Sequence, residues 1–271
     1  MRHCGQSNMK QRMIHIGERK QKLIVLSPKY HTEPLPGILW IHGGGYMLGM
    51  ASMVHMSRGK ELAKKYGAVV ISPAYRLAWQ APYPAALEDC YDALLYMWNH
   101  ADDLGIDRNR IIVGGESAGG GLAAALCMYA RDQGVVKIAM QIPLYPMLDC
   151  FDTESSKDNH GRVWNTRKNH LGWKYYLGKL SGQTEIPAYA SAARETDYHG
   201  LPKCYTFVCE GEPFYQETLD YIQHLKDAGV MAEVDVYPGN IHAFDMLCPW
   251  LSTSKQARET LCRRYQTWME R

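Results

Sequence analysis

Three separated stretches carry residue types that together could perform acyl transfer. Gly115-Glu116-Ser117-Ala118-Gly119 is a G-x-S-x-G pattern between the apolar run 110–114 and the helical pattern 121–129. Strand, tight turn and helix are the setting of a nucleophile elbow, in which a strained turn lifts a serine hydroxyl clear of a sheet. Side chains two residues to either side would collide with neighbouring backbone, hence the glycines. Alone, the segment could also be a Gly-rich turn holding an incidental serine.

His42-Gly43-Gly44-Gly45-Tyr46 follows directly on the apolar run 37–41. Three glycines let a backbone curl so that its N–H groups face a cavity. Preset N–H donors stabilise the negative charge that develops on a carbonyl oxygen in the transition state more than they stabilise the substrate. The N–H groups of Gly43, Gly44 and Ala118 are the expected donors, and Gly45 and Tyr46 are expected to bind substrate. A phosphate-cradling loop is the alternative, but neither G-x-x-x-x-G-K nor G-x-G-x-x-G before a helix fits.

A serine nucleophile needs a base, and the chain has 11 histidines. His242 stands out because its turn, 237–244, directly follows the apolar run 233–237. His42 belongs to the glycine turn and is expected to orient it, and His224 falls inside a helical pattern. The base in turn needs a carboxylate to hold its tautomer and stabilise the imidazolium. The loop Glu210-Gly211-Glu212-Pro213-Phe214 offers two. Glu212 precedes a proline, which favours an extended backbone at that residue; Glu210 stays as the alternative. The resulting chain order, Ser117, Glu212, His242, is that of α/β-hydrolases.

The elements that must position these groups are short apolar runs alternating with amphipathic stretches. Runs at 23–26, 37–41, 68–72, 110–114, 137–142, 205–209 and 233–237 have strand length and are rich in Val, Ile or aromatics. Residues 85–100, 117–131, 216–228 and 251–268 carry helical spacing. The alternation predicts a parallel sheet covered on both faces, in which loops at the C-terminal strand ends share one rim. Residues 150–182 break the pattern: polar, yet holding Trp164, Trp173, Tyr175 and Tyr176. They read as a largely helical lid above the sheet rather than a solvated loop, within a single catalytic domain spanning 1–271.

Composition excludes several classes. Lys plus Arg is 30 and Asp plus Glu is 28, a net charge of +2, too balanced for a nucleic-acid or anionic-membrane footprint. No stretch of about 18 apolar residues suggests a membrane span. Residues 1–11 lack the apolar run of a secretory leader. The eight cysteines are scattered, which predicts reduced thiols and a cytoplasmic protein. Cys204 and Cys209 should point to opposite faces of one strand. No spacing suggests a metal site, and no cofactor is expected.

Taken together, the blocks His42–Tyr46, 115–120 and 212–242 resemble the hormone-sensitive-lipase-like branch of the α/β-hydrolase esterases. Tyr75-Arg76-Leu77, the segment 83–89 and Tyr145-Pro146-Met147-Leu148-Asp149 add to the likeness, which runs from about residue 23 to the C-terminus. It implies an eight-stranded, mostly parallel sheet under a reduced helical cap. It also implies a serine carboxylesterase for short acyl esters and a homodimer through the sheet edge or last helix. Asp89 and Asp149 would anchor loops. Departures are Glu for Asp at position 212, Glu for Asp at 116, where a structural role is expected, and the absence of Pro-Glu in 77–80. Only 41 residues precede His42, so half the cap is expected to be short and the cleft more open. A peptidase or amidase on the same fold, or a ligand receptor that has lost turnover, are the rival readings.

Overall fold

In a computed structural model describing residues 9–269, the seven apolar runs and one further strand at Met9–Ile16 form one eight-stranded sheet with helices on both faces. Cys4 and most of the stretch 1–11 lie outside the described residues. The strands are β1 (Met9–Ile16), β2 (Gln21–Pro28), β3 (Leu35–Ile41), β4 (Val69–Pro73), β5 (Ile106–Glu116), β6 (Met140–Leu144), β7 (Lys203–Cys209) and β8 (Ala232–Tyr237). Their order across the sheet is β1-β2-β4-β3-β5-β6-β7-β8. β2 runs antiparallel to both β1 and β4, and all pairs from β4 to β8 are parallel.

The helices are α1 (Arg58–Tyr66), α2 (Ala85–Asn99), the single turn α3 (Ala101–Leu104), α4 (Ala118–Gln133), α5 (Thr166–Leu177), α6 (Tyr215–Asp227), the single turn α7 (Phe244–Leu247) and α8 (Ser252–Met269). Their ends follow ordinary capping chemistry. Ser57 Oγ accepts from Lys60 N at the start of α1, and Gly134 closes α4 with φ +66°.

The period of two along β3 divides the core between the faces. Leu39 and Ile41 pack with α2, α4 and α6, whereas Ile38 and Trp40 pack with α1 and α8. Cys204 and Cys209 separate in the same way, one into each half of the core. The seven cysteines among the described residues are all free.

Two features were not legible in the sequence. β1 contains no buried residue and no apolar run, so its pairing with β2 carried no hydrophobic signal. The amphipathic α1 was also not anticipated. The insertion at 150–182, expected to be largely helical, holds one helix of 12 residues, α5, and a 3-10 turn, Gly178–Leu180. Residues 153–166 are instead fixed by short polar side chains: Ser155 Oγ donates to Pro213 O at 2.7 Å, and Thr166 Oγ1 accepts from Asn159 N at 2.7 Å. No helix among the described residues is long and apolar enough to cross a membrane.

The sheet predicts unequal sensitivity to truncation. Leu39→Ala, at a fully buried position of β3, is expected to lower unfolding free energy by about 2–5 kcal/mol. Met13→Ala, at an exposed position of β1, should change it by less than about 0.5 kcal/mol. Urea denaturation of the two variants measures the contrast.

Candidate active site

Parallel strands deliver their C-terminal loops to one rim, and four of these loops meet there. Ser117 follows β5 with φ 57° and ψ −122°, a conformation an L-residue adopts only under constraint. The constraint is β3. A Cβ on Gly115 would strike the carbonyl of Ile41, and one on Gly119 the carbonyls of Ile41 and His42. Ser117 N donates to Leu144 O at 3.0 Å, tying the turn to β6 as well.

His242 arrives from the loop after β8. Its Nε2 lies 2.8 Å from Ser117 Oγ. Its Nδ1–H donates to Glu212 Oε2 in a short hydrogen bond. That pairing fixes the tautomer with a lone pair on Nε2, aimed at the serine hydroxyl. Tyr145 and Phe214 stand edge-on to the imidazole, with ring centroids at 5.2 and 5.0 Å. Glu212 is fully buried, and its second oxygen, Oε1, accepts from Cys209 N at 2.9 Å. Folding Oε1 back onto its own loop takes up the extra methylene that Glu has over Asp. Glu210 is exposed, and the structure does not bring it to His242.

The glycine turn lies against the elbow: a Cβ on Gly43 would stand 3.2 Å from Ser117 Cβ. Among the described residues the N–H groups of Gly43 and Gly44 donate to no acceptor, and Ala118, first in α4, has no intrahelical acceptor for its own. His42 orients this turn. Its Nδ1–H donates to Gly43 O at 2.8 Å, and its ring stacks on Tyr75 at 4.2 Å. Burial lowers its pKa to about 4, against the opposing Gly43 bond, so the ring is neutral near pH 7.

Tyr46, expected to bind substrate, packs against α5 of the insertion. It is 2% exposed, stacks on Tyr176 at 3.9 Å, and donates its hydroxyl to Met147 O at 3.2 Å. Gly45 lies under the cap too: a Cβ there would collide with the Trp164 ring. Ser117 is 6% exposed and His242 5%. Trp164 packs rather than facing solvent, as its place among the aromatics of the insertion implies, but a tryptophan in a polar segment does not say what it packs on.

Glu116 has the structural placement expected of it. Trp40 Nε1 donates to its Oε2 at 2.8 Å, and Arg58 N to its Oε1 at 3.4 Å. Arg58 Nε also lies 3.2 Å from the buried carboxylate of Asp245, whose other oxygen accepts from Tyr145. Burial, with a smaller push from Asp245, raises the Glu116 pKa to about 7. Asp89 and Asp149 anchor loops, the first accepting from Arg19 and Arg76, the second from Phe151 N and Arg194. His224 is exposed and stacks on Tyr198 at 5.1 Å.

Residues 38–246 match the family described by the alpha/beta hydrolase fold. Carboxylesterase NlhH of Mycobacterium tuberculosis is 30% identical over 221 residues, covering 80% of this chain and 69% of that protein. The chain belongs to the hormone-sensitive-lipase-like α/β-hydrolase esterases. A solved structure titled a bacterial heroin esterase superposes on this esterase with a TM-score of 0.91 at 34% identity, covering 97% of this chain and 85% of that one. Ethyl acetate hydrolase of Pseudomonas putida is 30% identical over 209 residues, 76% of this chain and 65% of that protein. The esterase thus spans about two thirds of these curated relatives. It is a carboxylic ester hydrolase.

The Glu116 carboxyl gives the fold of this esterase a pH dependence of known sign. The unfolded chain releases that proton near pH 4.5 and the folded chain near pH 7, so burial weakens folding progressively as pH rises through that window. Glu116→Gln, which keeps an acceptor for Trp40, should therefore gain stability relative to the parent between pH 4.5 and 7. The expected gain is on the order of 3 kcal/mol. Thermal melts of both proteins at a series of pH values measure the difference.

Proposed function

We propose that this ester hydrolase is a serine carboxylesterase for short acyl chains, with Ser117 as nucleophile, His242 as general base and acid, and Glu212 as the orienting carboxylate. The observation that carries this reading is the unbroken hydrogen-bond chain from Ser117 Oγ through His242 to Glu212. His242 Nε2 takes the Ser117 proton as Oγ attacks the ester carbonyl. The oxyanion accepts hydrogen bonds from the N–H groups of Gly43, Gly44 and Ala118. The imidazolium, stabilised by Glu212, returns its proton to the leaving alcohol. Water activated by the same histidine then hydrolyses the acyl-enzyme.

Glu212 acts by orienting the imidazole and stabilising its positive charge. The hydrogen bond from Cys209 N supports the orienting role, because it holds the side chain in one position from which to face Nδ1. The name of the ethyl acetate hydrolase supports a small acyl group. The side chains crowding the rim, Trp164 against Gly45 and Phe214 against His242, favour the same conclusion.

Ser117→Ala is expected to abolish both ester turnover and labelling by a fluorophosphonate while the circular dichroism spectrum is kept. Undiminished labelling would remove Ser117 from the nucleophile's role. Glu212→Gln should lower kcat by a factor on the order of 10⁴, because the histidine loses the partner that fixes its tautomer. For chain length, 4-nitrophenyl esters from acetate to dodecanoate should give the highest kcat/KM at the two- to four-carbon acyl groups. A maximum at the longest chains would mark a lipase instead.

A further inference from the structure

The segment of the insertion that reaches the rim forms a strap with both ends tied down. At one end Asn159 Nδ2 donates to Gly211 O at 3.1 Å, beside Glu212. At the other the Trp164 ring lies on Gly45 in the glycine turn. The span is closed at its base, where Thr166 N donates to Asn159 O at 3.1 Å. Inside it, Gly161 N donates to Asn159 Oδ1 at 2.9 Å and Asn165 Nδ2 to Gly161 O at 3.2 Å. The strap therefore runs from the acid loop to the glycine turn and holds residues 160–163 in a defined position.

Those residues, with Asn240 and Ile241, line a cavity of about 300 Å³. Asn240 and Ile241 immediately precede His242. Gly211 N donates to Gly239 O at 2.8 Å, tying the acid loop to the turn that carries Asn240. Arg162 lies on the cavity wall and is exposed. Its carbonyl accepts from Lys168 Nζ at 3.2 Å, but among the described residues its guanidinium has no hydrogen-bond or salt-bridge partner. The acids nearest in sequence are engaged elsewhere, Asp158 with His160 at 3.1 Å and Glu154 with Lys157 at 2.7 Å. Glu210, on the acid loop, is exposed. Residues 157–170 hold four Lys and Arg against one Asp, in a chain whose net charge is only +2. The positive charge is a property of the strap and its flank.

We infer that Arg162 is a specificity residue, and that the strap selects esters whose leaving alcohol carries a carboxylate, seated in the cavity beside Asn240 and Ile241. The inference rests on the proposed triad, which places the leaving oxygen at His242. A guanidinium meets a carboxylate with two parallel N–H donors, which adds geometric selection to the charge attraction. The contact is remote from the reacting carbonyl and is made equally in ground and transition states. It therefore acts on KM and leaves kcat nearly constant.

The test uses three aryl acetates: 4-acetoxybenzoate, its neutral methyl ester, and the cationic 3-(trimethylammonio)phenyl acetate. Each is assayed with the parent, Arg162→Gln, Arg162→Glu and Arg162→Lys. Comparing each substrate across variants cancels differences in leaving-group acidity. KM for 4-acetoxybenzoate should rise five- to tenfold in Arg162→Gln and further in Arg162→Glu, with kcat within twofold, and Arg162→Lys, which keeps the charge without the paired donors, should recover only part of the loss. KM for the ammonium ester should fall in Arg162→Glu, and the parent's advantage on 4-acetoxybenzoate should shrink as salt is raised. If KM moves alike for all three esters, or for none, Arg162 has no such role even though the triad stands. If the parent hydrolyses no ester and takes no fluorophosphonate label, the triad reading and this inference fall together.

Discussion

The arrangement depends on one close approach, that of β3 to the turn following β5. The serine can hold a left-handed φ only because the backbone of Ile41 and His42 lies where side chains at 115 and 119 would otherwise be. The same contact brings the glycine turn after β3 beside Ser117. A single packing constraint thus sets the position of the hydroxyl and of the backbone donors that the proposed mechanism uses. Strain at Ser117 persists because the β3 and β6 backbones on either side over-determine it.

Electrostatics around this turn divides into two layers. Above it, Ser117, His242 and Glu212 form a polar chain whose every link has a partner. Below it, Glu116 and Asp245 share the surroundings of Arg58, and burial holds Glu116 nearer neutrality than a surface carboxyl would be. Tyr145 joins the layers, since its hydroxyl donates to Asp245 and its ring supports the edge of His242. The lower layer acts on stability and the upper supplies the groups that the proposed mechanism uses, with the Ser117 backbone between them.

The cap is joined to the same turn through aromatic packing. Tyr46, Trp173 and Tyr176 hold α5 against the residues that follow the glycines. Tyr46 is thereby an attachment point for α5. The strap at 159–164 extends this attachment across the rim to the acid loop. Its fixation by Asn, Ser and Thr side chains rather than by a helix explains why hydropathy in that stretch carried so little information.

The sequence by itself determined the fold class, the seven apolar strands and the serine, histidine and glycine turn, because each rests on local patterning: a period of two, a period of 3.6, or glycines where no side chain fits. It did not reveal β1, whose exposed residues leave no hydrophobic trace, nor separate Glu210 from Glu212 by composition. Only the tertiary structure decided that Glu212 turns inward onto His242 and Cys209 N while Glu210 faces solvent, that Tyr46 belongs to the cap, and that Trp164 covers Gly45. Those outcomes depend on contacts between residues far apart in the chain, where the geometry of neighbouring loops, and not the identity of any one residue, fixes which side chain meets which.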